Sequence, residues 1–455
     1  PQHAQCARLV TPAAAHVEVR GLIAVGGPLV RAVVTGTATG EGQHDLLADP
    51  AAGLRADRDD GARALMPEHH GCPAGQGRHR DVGVADADGL DTHQDLVTDR
   101  AAQFDVGELR VLSGFEEHRG TCLDHLTHVK WSVMRAIQIP RLDGPDVAEL
   151  VDIDEPAADG VVIDVHAAGV AFPDALQTRG LYQYKAPLPY VPGAEIAGVV
   201  RSAPAGSALS AGDRVAGLTM LTGGMAEVVA LPEDRVFALP DNVSFEAGAG
   251  VLFNDLTVHC ALRTRGRLAG GETVLVHGAA GGIGTSTLRL APAFGAARTI
   301  AVVSSADKGD IARAAGASDV VLADGFKDAV KDLTGGRGVD IVLDPVGGDR
   351  FTDSLRSLAP GGRLLVVGFT GGEIPTVKVN RLLLNNVDVV GVGWGAWSGT
   401  HPGYLAQQWA ELAPLLASGA VAAPEPIVYP LERAGEAIAS LENRTATGKV
   451  VLKVR

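Results

Sequence analysis

A chain of 455 residues is too long to close around a single core, so two or three folding units are expected. Apolar residues at 46% and charged residues at 20% are ordinary for a soluble globular protein, and a net charge of −15 excludes nucleic acid as a main partner, because phosphate binding needs a basic patch. No run of about 18 uncharged apolar residues occurs, so no membrane span is expected, and four cysteines cannot build a disulfide framework and fit a reducing cytoplasm.

Residues 1–133 form a leader of unusual composition. It holds ten of the fourteen histidines, three of the four cysteines (Cys6, Cys72, Cys122), eleven arginines and a single lysine, Lys130. Apolar periodicity is poor after Val34, and stretches such as Ala56–Ala64 have nothing to bury, so the leader is expected to be disordered. Met134 then opens an alternating strand and reads as the start of the folded part of the chain. The leader is either a disordered extension or a mis-called upstream frame. Glu68–Cys72 with His79 offers ligands of the kind zinc takes, but without paired spacing, and the cluster reads as compositional.

The strongest chemical signal lies further on. Thr273–His277 is a short β-branched run of the kind found in buried parallel strands. It enters Gly278, Ala279, Ala280, Gly281, Gly282, Ile283 and Gly284, after which Thr285–Gly295 reads as a helix, with Pro292 expected to kink or shorten it. Glycines in such a turn let the backbone approach a pyrophosphate, and the helix N-terminus supplies free N–H groups. A second strand, Thr299–Val303, ends in Ser304-Ser305-Ala306-Asp307-Lys308. NAD sites place an acid there. Ser304, Ser305 and Lys308 suit a 2′-phosphate instead, so NADPH is the expected cofactor, with Asp307 read as the N-cap of the next helix.

Further strands are expected at Asp319–Leu322, Val339–Leu343, Arg363–Val367 and Val387–Val392, and helices at Lys308–Ala315, Phe326–Leu333 and Asp349–Leu358. The alternation implies an α/β fold with a doubly wound parallel sheet. Asp344–Gly348, and Gly368 with Phe369, fall just past strand ends, where such a sheet binds its ligand.

From Met134 to Arg455 the chain resembles the zinc-independent quinone oxidoreductases of the medium-chain dehydrogenase/reductase superfamily. The resemblance rests on Gly180-Leu181-Tyr182, Val191–Gly198, Gly212–Val215, Gly278–Gly284, Asp344–Gly348, Gly361-Gly362-Arg363 and Asn380–Leu384. It implies a GroES-like catalytic domain from residues 134–253 and 394–455, a Rossmann domain over 254–393, and a homodimer through the edge strand near Val387–Gly393. Zinc-dependent relatives carry Cys and His where this chain has Ala171 and Ala194, and the four-cysteine lobe is missing, so no zinc is expected.

The implied activity is NADPH-dependent hydride transfer to quinones or α,β-unsaturated carbonyls. An enoyl-thioester reductase, or an NADPH-binding protein with little turnover, stands as the alternative. Tyr182 matches a tyrosine of relatives and is the candidate acid or oxyanion donor, or else a cleft wall. An Asn and a second Tyr of relatives are replaced by Ala171 and Leu176, which makes the pocket more apolar, and an adenine-side tyrosine is replaced near Ala323. Asp174 and Glu195 read as structural acids tied to backbone N–H groups or to Arg214. Thr257 matches a threonine near the nicotinamide, or is an ordinary N-cap. Arg444 matches an arginine that reaches the 2′-phosphate. His166, His259 and His277 read as packed histidines.

Overall fold

The computed structural model describes residues 8–10, 16–20, 33–36 and 132–455. The chain divides into two units, 1–112 and 113–455. In the first, strands β1 (Arg8–Val10), β2 (His16–Arg20) and β3 (Val33–Gly36) pair antiparallel in that order. The rest of the leader, with the expected disorder and the Glu68–Cys72 cluster, lies outside the described residues.

The second unit opens with a two-stranded ladder, β4 (Val133–Gln138) against β5 (Glu149–Asp154). Next come β6 (Val161–Val170), α1 (Phe172–Thr178), β7 (Glu195–Ser202), β8 (Arg214–Leu218), β9 (Val228–Leu231) and β10 (Val236–Ala238). Helices α2 (Phe245–Gly248) and α3 (Leu252–His259) lead to β11 (Thr273–His277), α4 (Gly282–Ala293), β12 (Arg298–Val303) and α5 (Ala306–Ala314). Then follow β13 (Asp319–Leu322), α6 (Phe326–Leu333), β14 (Val339–Asp344), α7 (Phe351–Arg356), β15 (Leu358–Val366), α8 (Asn380–Asn385) and β16 (Asp388–Gly391). The chain closes with α9 (Trp394–Thr400), α10 (Tyr404–Ala417), β17 (Ile427–Pro430), α11 (Ala434–Glu442) and β18 (Val450–Lys453).

Two sheets result. Six parallel strands run β13-β12-β11-β14-β15-β16, so the strand order reverses between β11 and β14, which is where such sheets open a ligand crevice. The period of two sorts the side chains onto two faces. Leu275, Ile300, Val302, Val342 and Leu364 pack against Phe326, Val330, Phe351 and Leu355 on one side. Val274, Val276, Ala301, Ile341 and Leu343 meet Leu256, Leu288 and Leu290 on the other. The second sheet runs β10-β8-β7-β6-β18-β17, with β9 also on β6, so the C-terminal strands complete a sheet begun near residue 161. Helix α10 packs on α3: Gln408 Nε2 donates to Leu256 O (2.8 Å), and Glu411 lies 3.0 Å from His259 Nε2.

Local readings shift in three places. Helix α4 starts at Gly282 rather than Thr285 and ends at Ala293, with Pro292 in its last turn, Phe294 as C-cap and Gly295 beyond it at a left-handed φ of +101°. The expected helix Asp349–Leu358 is a short 3₁₀ turn, Gly348–Arg350, followed by α7. β15 begins at Leu358, ahead of the expected Arg363, because Val339 pairs with Leu358 before a register shift.

Arg363 holds the start of β11 in place. Its guanidinium donates to both Glu272 oxygens (2.7 and 2.6 Å) and to the Gly266 and Arg267 carbonyls, while only 7% exposed. Removing one partner strands the other, so Arg363→Met should cost about 2–4 kcal/mol, less than a fully buried pair because Glu272 keeps some solvent. Urea unfolding of both proteins checks this, and a loss below about 1 kcal/mol would contradict it.

Candidate active site

The site is built where β11 turns into α4. Gly278 takes a left-handed φ of +59°, open to glycine at little cost. A Cβ on Gly284 would stand 2.4 Å from Gly278 O and 2.5 Å from Ala279 Cα, so only glycine lets the helix pack this close to the turn. Helix α4 has no side-chain cap, which leaves its first N–H groups facing outward over the loop.

A cavity of about 280 Å³ runs along this loop, and Gly278 through Gly284 line it without a break. Four cations reach the lining, Lys308, Arg350, Arg444 and Lys449, and no carboxylate of the described residues does. At one end Ser304 lies past β12, Lys308 Nζ donates to Arg444 O (3.1 Å), and Arg444 Nη2 donates to Thr370 O (3.1 Å). Ser305 is the N-cap residue of α5, and Asp307 is the second helical residue rather than the cap, because the helix begins two residues sooner than expected. An acid in the first turn still suits the helix dipole.

At the other end Val170, Ala171 and Phe172 form an apolar wall. Behind it stands Asp174, fully buried, with Oδ2 accepting from Ala171 N (2.8 Å) and Oδ1 from Gly193 N (3.1 Å). Burial pushes its carboxyl up to about 6, against those two hydrogen bonds and the nearby Lys449. Glu195, also fully buried, accepts from Phe253 N (2.8 Å) and from Lys449 Nζ (2.6 Å), and Lys449 donates as well to Val170 O (3.0 Å). Burial raises the Glu195 carboxyl while Lys449 opposes it. The expected partner Arg214 turns away, giving its N–H groups to the Asp241 and Val243 carbonyls. Lys449 is the partner that sequence reading missed.

Asp255 accepts from Ser286 Oγ (2.6 Å) and pairs with Arg289 (2.5 Å) behind the loop. Asn254 joins the cavity lining from the same helix.

The remaining candidates fall outside the lining. Thr257 lies inside α3 with its hydroxyl on Phe253 O (2.7 Å), not at a helix start, because α3 begins five residues earlier. Gly368 and Phe369 sit beside the cavity, with Thr370 the lining residue of that segment. Tyr182 is half-buried in the loop after α1, and both burial and the Asp174 charge raise its phenol, which makes it a poorer acid. The histidines are packed: His166 stacks on Phe245, and His277, lowered to about 4 by burial, lies 2.8 Å from Ser354 Oγ.

Comparison with known proteins follows this division. A family model described as zinc-binding dehydrogenase matches residues 282–418, and one described as alcohol dehydrogenase GroES-like domain matches 157–241. Quinone oxidoreductase-like protein 2 of Rattus norvegicus is 38% identical over 298 residues, covering 65% of this chain and 85% of that protein. A crystal structure of a probable oxidoreductase from Mycobacterium abscessus is 42% identical, with a TM-score of 0.65 over 71% of this chain and 99% of that one. The Escherichia coli quinone oxidoreductase complexed with NADPH is 29% identical, with a TM-score of 0.63 over 71% and 100%.

Asp174 gives the site a pH signature. Its value is 3.8 in the ordinary range and about 6 when folded, so its protonated form favours the native state. That contribution is complete below pH 3.8 and lost as pH rises to about 6. The stability of the wild type relative to Asp174→Asn should therefore fall across this window and then level off. Urea unfolding of both proteins at a series of pH values measures it, and an advantage that grows with pH there would sink the assignment.

Proposed function

The chain belongs to the quinone oxidoreductase-like family of medium-chain dehydrogenases/reductases, and from that premise we propose a zinc-free reductase that uses NADPH to reduce quinones or α,β-unsaturated carbonyls. The observation that carries this reading is the charge of the cavity lining, in which Lys308, Arg350 and Arg444 stand besides the Glu195-paired Lys449, with no carboxylate of the described residues, along an unbroken glycine loop in a protein of net charge −15. A dinucleotide with two bridging phosphates and a 2′-phosphate is the anion that fits such a lining.

The loop N–H groups and the start of α4 would hold the pyrophosphate. Ser304, Lys308 and Arg444 would hold the 2′-phosphate, with Ser305 at the helix cap beside them. The E. coli relative is complexed with NADPH, which supports the same choice here. The bound cofactor would supply a hydride, and the protein's part is to align it with the acceptor and keep water out.

Val170, Ala171 and Phe172 give the acceptor an apolar wall suited to a flat conjugated ring. Ala171 and Ala194 bring no ligand atom, and the Asp174 and Glu195 carboxylates are already engaged, which supports a reaction without zinc. The raised phenol of Tyr182 favours a wall role over an acid role. A homodimer is proposed too, since β16 is an edge strand and Leu383 and Leu384 on α8 are 76% and 73% exposed.

Oxidation of NADPH followed at 340 nm, with 1,4-benzoquinone, 9,10-phenanthrenequinone and crotonyl-CoA as acceptors, tests the reading. Turnover with a quinone, preferring NADPH to NADH and surviving EDTA, is expected. Lys308→Ala and Arg444→Ala should each raise KM for NADPH about tenfold while leaving NADH kinetics unchanged, the worth of one charge-assisted phosphate contact. NADPH binding without turnover on any acceptor would replace the reductase reading with that of a binding protein.

A further inference from the structure

Lys449 is a cation where cations are costly. Its side chain is 3% exposed and that of its partner Glu195 is 0% exposed. A buried ion pair is a weak source of stability, because desolvating both charges offsets their attraction, so its presence calls for another reason. The reason lies in what Lys449 faces. It lines the cavity, as does Val170, whose carbonyl accepts from it at 3.0 Å.

The ammonium is held from two sides. Glu195 Oε1 and Val170 O take two of its N–H groups among the described residues, and an ammonium has three. Glu195 is fixed in turn by Phe253 N at 2.8 Å. On the other side, Gly448 donates to Ala280 O at 2.7 Å, so the residue before Lys449 is pinned to the glycine loop. Asp174 and Asp255 act on the pair through space from α1 and α3. The lining beside it is the apolar Val170, Ala171 and Phe172, whereas Lys308 and Arg444 are joined to each other at the Ser304 end.

We propose that Lys449 is a catalytic residue: its ammonium donates a hydrogen bond to the acceptor's oxygen as negative charge gathers there, with Glu195 as its positioning residue. This rests on the reductase reading above. The electrons balance simply. A hydride leaves the cofactor's dihydropyridine carbon and forms a new bond on the acceptor's conjugated system, an electron pair moves to the acceptor's oxygen, and one proton from solvent completes the product. The acceptor is reduced, the cofactor is oxidised and Lys449 keeps its proton. A fixed donor aimed at developing charge in a dry site is among the larger single contributions to catalysis.

The test uses the full chain as wild type, K449M and K449R. Rates are measured across substituted 1,4-benzoquinones from electron-poor to electron-rich, together with an enone, and NADPH affinity is measured by fluorescence. K449M should bind NADPH within about threefold of wild type yet lose about a hundredfold in kcat on the electron-rich quinones and the enone, and far less on the electron-poor ones, the range of an oxyanion donor. K449R should recover part of the loss. A role confined to structure would lower all acceptors alike together with NADPH binding, and either that pattern or an unaltered K449M overturns the proposal.

A second readout needs no turnover. 4-Nitrophenol bound to wild type with NADP⁺ should ionise about one pH unit lower than in solution, because its phenolate mimics the half-reduced acceptor beside the ammonium. In K449M that shift should vanish. If the wild type reduces no acceptor, the reductase reading fails while this titration still judges Lys449. If K449M does not fold, an unshifted nitrophenol on the wild type is enough to overturn the assignment.

Discussion

The crossing of the last strand over the glycine loop is the contact on which the rest of the site depends. Within three residues the chain makes three unlike attachments. Gly448 donates to the Ala280 carbonyl, Lys449 pairs with Glu195, and Val450 takes its place opposite Val170 in the sheet. The first binds the glycine loop, the second binds the start of β7 and through Glu195 the start of α3, and the third binds the strand that leads into the apolar wall. A site placed where two sheets meet needs such a crossing, because each sheet by itself presents only half of the lining.

That arrangement explains why the lining was only partly legible in the sequence. The parallel sheet could be read almost strand by strand, since β-branched runs bounded by turn residues carry their own signal, and β11, β13 and α6 begin and end where periodicity places them. The glycine loop was legible for the same reason: its chemistry is contiguous. Ser304, Lys308 and Arg444 do meet at one end of the cavity. Lys449 was not legible. In Thr447-Gly448-Lys449-Val450 it looks like the solvated first residue of a strand, the usual fate of lysine, and its partner lies 254 residues away. Only the topology, with β18 inserted beside β6, brings the two together. Thr257 and Asp307 were misplaced for a smaller reason, since helix starts shift by a residue or more when caps compete.

Charge shows the same contrast between whole and part. A net −15 says what the surface repels, and on that scale the chain is a poor host for a polyanion. Locally the sign reverses. The buried carboxylates Asp174, Glu195 and Asp255 lie outside the lining and accept from backbone N–H groups, Lys449, Ser286 and Arg289, with Asp255 Oδ2 alone of their oxygens left without a partner among the described residues. What reaches the lining is cationic. Composition therefore limits partners that touch the surface broadly, and it leaves open a small ligand held in a lined crevice.

The buried carboxylates have a second consequence for how the site acts. Burial raises all three carboxyls, and Lys449 is the cation that opposes this for Glu195 through its charge and its hydrogen bond. A neutral residue at 449 would leave Glu195 to take a proton or to carry an uncompensated charge, and an arginine would demand a wider cradle than one carboxylate oxygen and one carbonyl provide. Lysine suits the position as a compact point charge with one donor to spare. Its neighbours Val170 and Ala171 bring apolar side chains, and the one Val170 carbonyl is already taken by the ammonium, so on the proposed role an acceptor's oxygen reaching this end of the cavity meets the remaining N–H of Lys449. Such a wall suits the flat ring with an oxygen at its edge that the proposed function gives the acceptor.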